Sequence, residues 1–179
     1  AKDRAAVQAM PDPLKRRFAH YCLEPNIDDT SAHFVNRGVD PSIIAFLRYR
    51  PEALHDYSTE QEANPSPRAW MYLNKKLPFL ADEYYGCASI VGDGAAGEFI
   101  SFRQIYKDLP DIDSIINNPS TSKVPESMNL LYAVSAALAS RANKANFKNV
   151  CKYAKRLPAE FQVLLMKDAV GGNSDIADT

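Results

Sequence analysis

The sequence has no long apolar run. Nowhere do about 18 apolar residues follow one another, so no membrane-spanning helix is expected. It has no surplus of charge either. Its 21 Lys and Arg oppose 22 Asp and Glu, and a net charge of −1 argues neither for nucleic acid nor for an anionic membrane surface. Cysteine is scarce. Cys22, Cys87 and Cys151 are far apart and odd in number, which excludes a disulfide framework and a C-x-x-C metal site. They read as buried or half-buried thiols of a cytoplasmic protein. Histidine is as scarce: His20 and Cys22 share one face of a possible strand, but two ligands do not make a zinc site, and His55 beside Asp56 is too common a pairing to weigh, so no metal is expected. The opening AKDRAAVQAM has no apolar core, so no secretory signal is expected. It starts on Ala1 rather than Met and reads like mid-domain sequence, which points to a piece of a longer protein.

What is present is helical periodicity. PNIDDTSAHFVNRG has an acidic start and a glycine stop, and predicts a short helix ending near Arg37. DPSIIAFLRYRPEALH predicts a second, with Pro41 near its start and Pro51 interrupting it. A helix from Pro67 to about Leu77 should stop at Pro78. DEYYGCASIVGDGAAGEFISFRQIYKDLP predicts two helices broken at VGDG, the second with Phe99, Phe102, Ile105 and Tyr106 on one stripe. A short helix and a Pro/Ser/Thr loop follow. Three more helices carry Met128, Leu131, Val134 and Leu138; then Phe147, Val150, Cys151 and Ala154; then Phe161, Leu164, Leu165 and Ala169. GGNSDIADT reads as a frayed tail.

Only RFAHYCLEP alternates like a strand, Phe18, His20 and Cys22 against Ala19, Tyr21 and Leu23. A lone strand needs a sheet that the chain does not supply. Residues 1–25 therefore read as the tail of an α/β domain, residues 26–110 as a helical domain, and 111–179 as a helical extension of it. The fold class is mainly α.

Three sets of residues stand out. In NPSPRAW, Ser66 is a natural N-cap, Pro67 fits the first helical position, and Arg68 falls in the first turn. A cation there opposes the helix macrodipole, so an anion is expected nearby: a bound phosphate, or Glu60 or Glu62 of the preceding loop. In MPDPLKRRF, Arg16 and Arg17 end a short helical turn, either as a solvated basic turn or as guanidiniums that reach across an interface to phosphoryl-transfer charge. Lys144, Lys148, Lys152 and Lys155 recur at near-helical spacing between Arg141 and Arg156, either as a solvated face or as a contact for nucleic acid or an acidic partner. The acid pairs Asp28/Asp29 and Asp82/Glu83 sit at helix starts, where the dipole accounts for them.

The order of these motifs resembles the C-terminal part of AAA+ ATPases, most of all the MoxR-type branch. MPDPLKRRF before a strand is similar to the arginine-finger segment. PSPRAW opening a later helix is similar to the sensor-2 position of the lid. DRAAVQAMPDPLKRRF, DPSIIAFLRYRPEALH and GDGAAGEFISFRQIYKDLPD extend the resemblance over essentially the whole chain. The resemblance implies that residues 1–25 are the last helix and strand of a P-loop core. It makes Arg17 the finger position, with Arg16 beside it. Arg68, with Ser66 and Pro67, becomes the contact to the γ-phosphate of ATP. It further implies Mg²⁺ as companion of ATP, a ring of copies (a hexamer by analogy), and chaperone-like remodelling of a client protein. The departure is large: no G-x-x-x-x-G-K-[ST] occurs, VGDGAAGE lacks the Lys and Ser/Thr, and LPFLADE is too short an apolar run for the acidic strand end. The chain alone is thus not expected to hydrolyse ATP. The rival reading is a stand-alone helical binding module using the lysine face.

Overall fold

The computed structural model describes residues 10–177. Residues 1–9, the head of the stretch from Asp3 to Phe18, and residues 178–179 lie outside it. Among the described residues every regular element is helical and there is no strand.

A one-turn helix, α1 (Asp12–Lys15), ends in a turn at Arg16 and Arg17, and no regular structure follows until Ile27. The strand expected over residues 18–23 does not form. Its backbone groups have no sheet partner among the described residues, and a single strand does not hold itself. Tyr21 and Leu23 are 85% and 92% exposed, and Cys22 is exposed rather than buried.

From Ile27 the predicted helices follow in order. In α2 (Ile27–Asn36), the Asn26 side chain accepts the N–H groups of Asp28 (2.8 Å) and Asp29 (3.1 Å), and both acids stand in the favourable first turn. Gly38 ends the segment at φ +64°. α3 (Pro41–Tyr49) is capped by Asp40, and every residue from Ser42 to Leu47 is buried. Pro51 has no N–H to continue the ladder, so the chain tightens into a 3-10 turn over Pro51–Leu54. α4 (Pro67–Lys76) runs into a second such turn at Leu77–Phe79, which contains Pro78. α5 (Glu83–Val91) and α6 (Asp93–Lys107) break at Gly92, where φ is +84° and an added Cβ would lie 2.8 Å from the Ala63 carbonyl oxygen. Only glycine meets both demands. Then come α7 (Ile112–Asn117), α8 (Met128–Arg141), α9 (Phe147–Ala154), α10 (Ala159–Gly172) and α11 (Ser174–Ala177). The last is not a frayed tail: Ile176 is 2% exposed and packed in a core.

Two apolar clusters form. The first joins α2 to α6 around Phe46, whose ring centroid lies 5.6 Å from Trp70, 5.4 Å from Phe99 and 5.8 Å from Phe102. The Trp70 indole N–H donates to the Ala53 carbonyl at 2.9 Å, so this buried ring leaves no polar atom orphaned. The second joins α7 to α11 around Leu138, Val150, Tyr153, Phe161 and Leu165. α8 walls both. Its Ala133 and Ala136 face the first cluster, where small side chains let α3 approach, while Leu131, Val134 and Leu138 face the second. Met128, expected on that stripe, is half exposed at the end of the helix.

One ion pair crosses between the two. Arg48 on α3 and Asp168 on α10 meet through both guanidinium NH₂ groups and both carboxylate oxygens, with side chains 8% and 6% exposed. The Arg48 Nε–H is buried without a partner. Removing one member leaves a buried charge unpaired, so Asp168→Ala is expected to cost about 3–5 kcal/mol in urea unfolding. The double variant Arg48→Met with Asp168→Leu removes both charges and the orphan donor, and should come within about 1 kcal/mol of the parent or exceed it. Equal destabilisation by the single and double variants would contradict this account. Phe46→Ala should cost about 3–5 kcal/mol by the same measurement, because three aromatic rings, Trp70, Phe99 and Phe102, lose their common neighbour.

Candidate functional site

The sequence-derived residues occupy two separate places. Arg16 and Arg17 lie on the exposed segment after α1, where neither makes an ion pair among the described residues. Hydrogen bonds there are local: the Arg17 N–H donates to the Leu14 carbonyl at 2.9 Å, and a His20 ring nitrogen lies 2.8 Å from the Lys15 carbonyl oxygen. The short α1 exists because Pro11 precedes it and Asp12 favours its first turn, while Lys15 ion-pairs with Asp12 at 3.4 Å.

Arg68 is held by a more ordered device. Ser66 has extended backbone, and its hydroxyl accepts the Ala69 N–H at 3.1 Å. Pro67 then fills the first helical position, where its missing N–H costs nothing. Trp70 and Leu73, both fully buried, anchor the inner face of α4. The next position outward is Arg68, exposed. It lines an open groove of about 410 Å³ between α2 and α4, with Asp29, Thr30 and His33 from α2 and Met71 from α4. No carboxylate lies within ion-pair distance of its guanidinium among the described residues, so neither Glu60 nor Glu62 supplies the counter-charge. The groove combines one cation, an imidazole and a hydroxyl with one carboxylate. That set can hold a phosphate oxygen at Arg68. Among the described residues no hydrogen bond joins the Thr30 hydroxyl to the His33 ring.

The structure does not bring Arg16 or Arg17 to Arg68: the groove is lined by α2 and α4 alone. Gly92, from the glycine-rich VGDGAAGE, serves the break between α5 and α6 and not a phosphate cradle. The acid pair Asp82/Glu83 is structural as well. Asp82 caps α5 by accepting the Tyr85 N–H at 3.0 Å. Glu83 bonds Arg103 and Lys107 across to α6. Desolvation pushes the Glu83 carboxyl up, but the two cations outweigh it and hold the group below its usual range. No three His, Cys, Asp or Glu side chains come together as a metal-ligand group among the described residues. No described helix is long and apolar enough to cross a membrane.

The lysine series is exposed throughout. Lys148 and Lys152 lie on α9 and Lys155 at its C-terminal cap. Lys144 precedes the helix, because Asn143 and Asn146 side chains bond the local backbone and make a turn there instead. Sequence reasoning passed over Arg48 and Asp168. Part of the signal was present: Arg48 is the lone charge of the apolar stretch IIAFLRY, while Asp168 stands beside Lys167 in VLLMKDAV, which hides its need for a distant partner.

No protein-family model matches the chain, and no curated protein and no solved structure matches it significantly.

Two outcomes follow from this geometry. Ser66→Ala should cost about 1 kcal/mol of stability, the usual value of such a cap. Arg68→Ala should leave stability unchanged or raise it by about 0.3–1 kcal/mol, since it removes a cation from the positive end of α4; a loss above that range in chemical denaturation would mean Arg68 has a structural partner. The cysteines separate by reactivity. Burial, and secondarily the Glu83 charge, pushes the Cys87 thiol from near 9 to about 11. Cys22 should react with Ellman's reagent at once and Cys87 only on unfolding. The neutral Cys87 thiol is favoured in the fold, so its contribution is complete below pH 9 and declines as pH rises towards 11. A Cys87→Ala variant should lack that decline.

Proposed function

We propose that this chain is the C-terminal, nucleotide-sensing and oligomerisation region of a AAA+ ATPase of the MoxR type, acting in its intact form as a chaperone-like remodeller of a client protein. The observation that carries the reading is Arg68: a guanidinium set in the first turn of a capped helix, against the dipole, with no carboxylate at ion-pair distance among the described residues, Asp29 being the one acid that shares its groove. An evolved helix start of this kind fits an external anion, and a phosphate is the anion that both helix N-termini and arginine favour. The resemblance in order and spacing of MPDPLKRRF, DPSIIAFLRYRPEALH and PSPRAW supports the same reading.

The residues fit ATP in part. Arg68 is suited to one phosphate, while the loop that cradles phosphates and the ligands of Mg²⁺ are not in this sequence. Mg·ATP, when bound between core and lid, supplies the phosphoryl group and its charge. Arg68 then neutralises the terminal phosphate within its own subunit, and Ser66 and Pro67 fix the helix start that aims it. Arg17, with Arg16 beside it, extends from a segment that has no other partner among the described residues, and reaches the nucleotide of the next subunit in a ring, a hexamer by analogy. Hydrolysis by the chain alone is not expected, because these arginines assist a site they do not constitute.

The coding DNA immediately upstream of Ala1 tests the reading. It should encode G-x-x-x-x-G-K-[ST] and an apolar strand ending in Asp-Glu; a start codon adjacent to Ala1 would overturn the reading and leave Arg16 and Arg17 as a solvated turn. In the protein so defined, Arg17→Ala should lower ATP turnover by about 10³-fold or more, and Arg68→Ala by roughly 10²-fold. Unchanged turnover would remove the residue from the mechanism.

A further inference from the structure

None of the residues assigned to nucleotide lies on α9 or α10. These two helices form a hairpin joined by residues 155–158, and Cys151 Sγ lies 3.8 Å from Met166 Sδ across their seam. One turn to either side of Cys151 on α9 come Lys148 and Lys155; one turn to either side of Met166 on α10 come Val163 and Val170. The lysines are exposed, and Val163 and Val170 are 69% and 38% exposed. A strip of exposed apolar surface is thus edged by cations.

Those cations are uncompensated. Lys148, Lys152 and Lys155 make no ion pair among the described residues, although Lys148 stands in the first turn of α9, against its dipole. The flanking arginines are engaged: Arg141 with Asp113 at 2.8 Å, and Arg156 with the Pro119 carbonyl at 2.7 Å and over the Tyr153 ring. The carboxylates of α10 are directed elsewhere. Asp168 is buried on Arg48, and Glu160 lines a cavity shared with Arg48 and Tyr132.

We propose that the α9–α10 face docks an acidic amphipathic segment of a partner protein, its apolar side on Val163, Met166 and Val170 and its carboxylates against Lys148, Lys152 and Lys155. Charge complementarity selects an acidic partner, and the exposed valines select one with an apolar side. The face has no exposed aromatic ring on which a base would stack, which disfavours single-stranded nucleic acid. The inference does not depend on the ATPase reading.

Fluorescence anisotropy of the full chain tests it with three labelled probes at low salt: a helical peptide with Glu on one face and Leu on the other, polyglutamate of equal length, and a short DNA duplex. The amphipathic peptide should bind most tightly. Combined Lys148→Gln, Lys152→Gln and Lys155→Gln should weaken it at least about tenfold. Combined Val163→Ser and Val170→Ser should weaken the peptide several-fold and leave polyglutamate unchanged. All five positions are surface-facing, and unaltered thermal unfolding of the variants will show that folding is retained. The proposal is overturned if the peptide does not bind, if polyglutamate binds equally well, or if either set of substitutions has no effect. Tighter binding of the duplex overturns it too, and makes the face a nucleic-acid site.

Discussion

The fold depends on α8 serving two cores at once. A helix that buries one face needs one apolar stripe; α8 buries nearly all of its surface from Leu131 to Leu138, with alanines on the side of α3 and larger residues on the side of α10. The division of sizes has a mechanical consequence. Small residues bring α3 close enough for Arg48 to extend past α8 and meet Asp168 on α10. A buried pair of this kind adds little net stability over an apolar pair, but it tolerates no mismatch. It ties α3 of the first cluster to α10 of the second, in addition to the packing of both on α8.

The distribution of charge around this frame is economical. Asp40, Asp82 and Asp111 cap helix starts, Asn26 and Ser66 do the same with neutral groups, and Glu83 and Glu98 bridge to cations on neighbouring elements. Against that background the exceptions are informative. Arg68 and Lys148 are cations in the first turns of their helices, where the dipole disfavours them. For an exposed side chain that cost is about 0.3–1 kcal/mol. The two sites differ in surroundings: Arg68 lines a polar groove with Asp29, Thr30 and His33, while Lys148 and its neighbours stand beside exposed valines.

Much of the helical order was legible in the linear pattern. Pro41 and Pro67 at helix starts, Pro51 as an interruption, Gly38 as a stop and Gly92 as a break each act through backbone geometry alone, so neighbouring residues suffice to read them. Ser66 as a cap is equally local. The strand expected at residues 18–23 failed because alternation of side chains is necessary for a strand and pairing is what makes one, and pairing is not a local property. The tail was underestimated for a related reason: Ile176 is a single apolar residue among small and polar ones, and only the packed end of α10 gives it a core to enter. Lys144 fell outside its helix because two asparagine side chains bonded the backbone first.

What the sequence by itself determined is the set of helices, their punctuation, and the oddity of a cation at the start of α4; each follows from the covalent and hydrogen-bonding constraints of a few consecutive residues. What only the tertiary structure decided is which charges are spare. Arg48, Arg50, Arg68, Arg103 and Arg141 look alike as letters. Distant parts of the chain meet Arg48 with Asp168, Arg50 with Glu98, Arg103 with Glu83 and Arg141 with Asp113, and among the described residues no carboxylate ion-pairs with Arg68. A counter-ion 120 residues away neutralises a guanidinium as one a turn away would, and sequence distance carries no record of it.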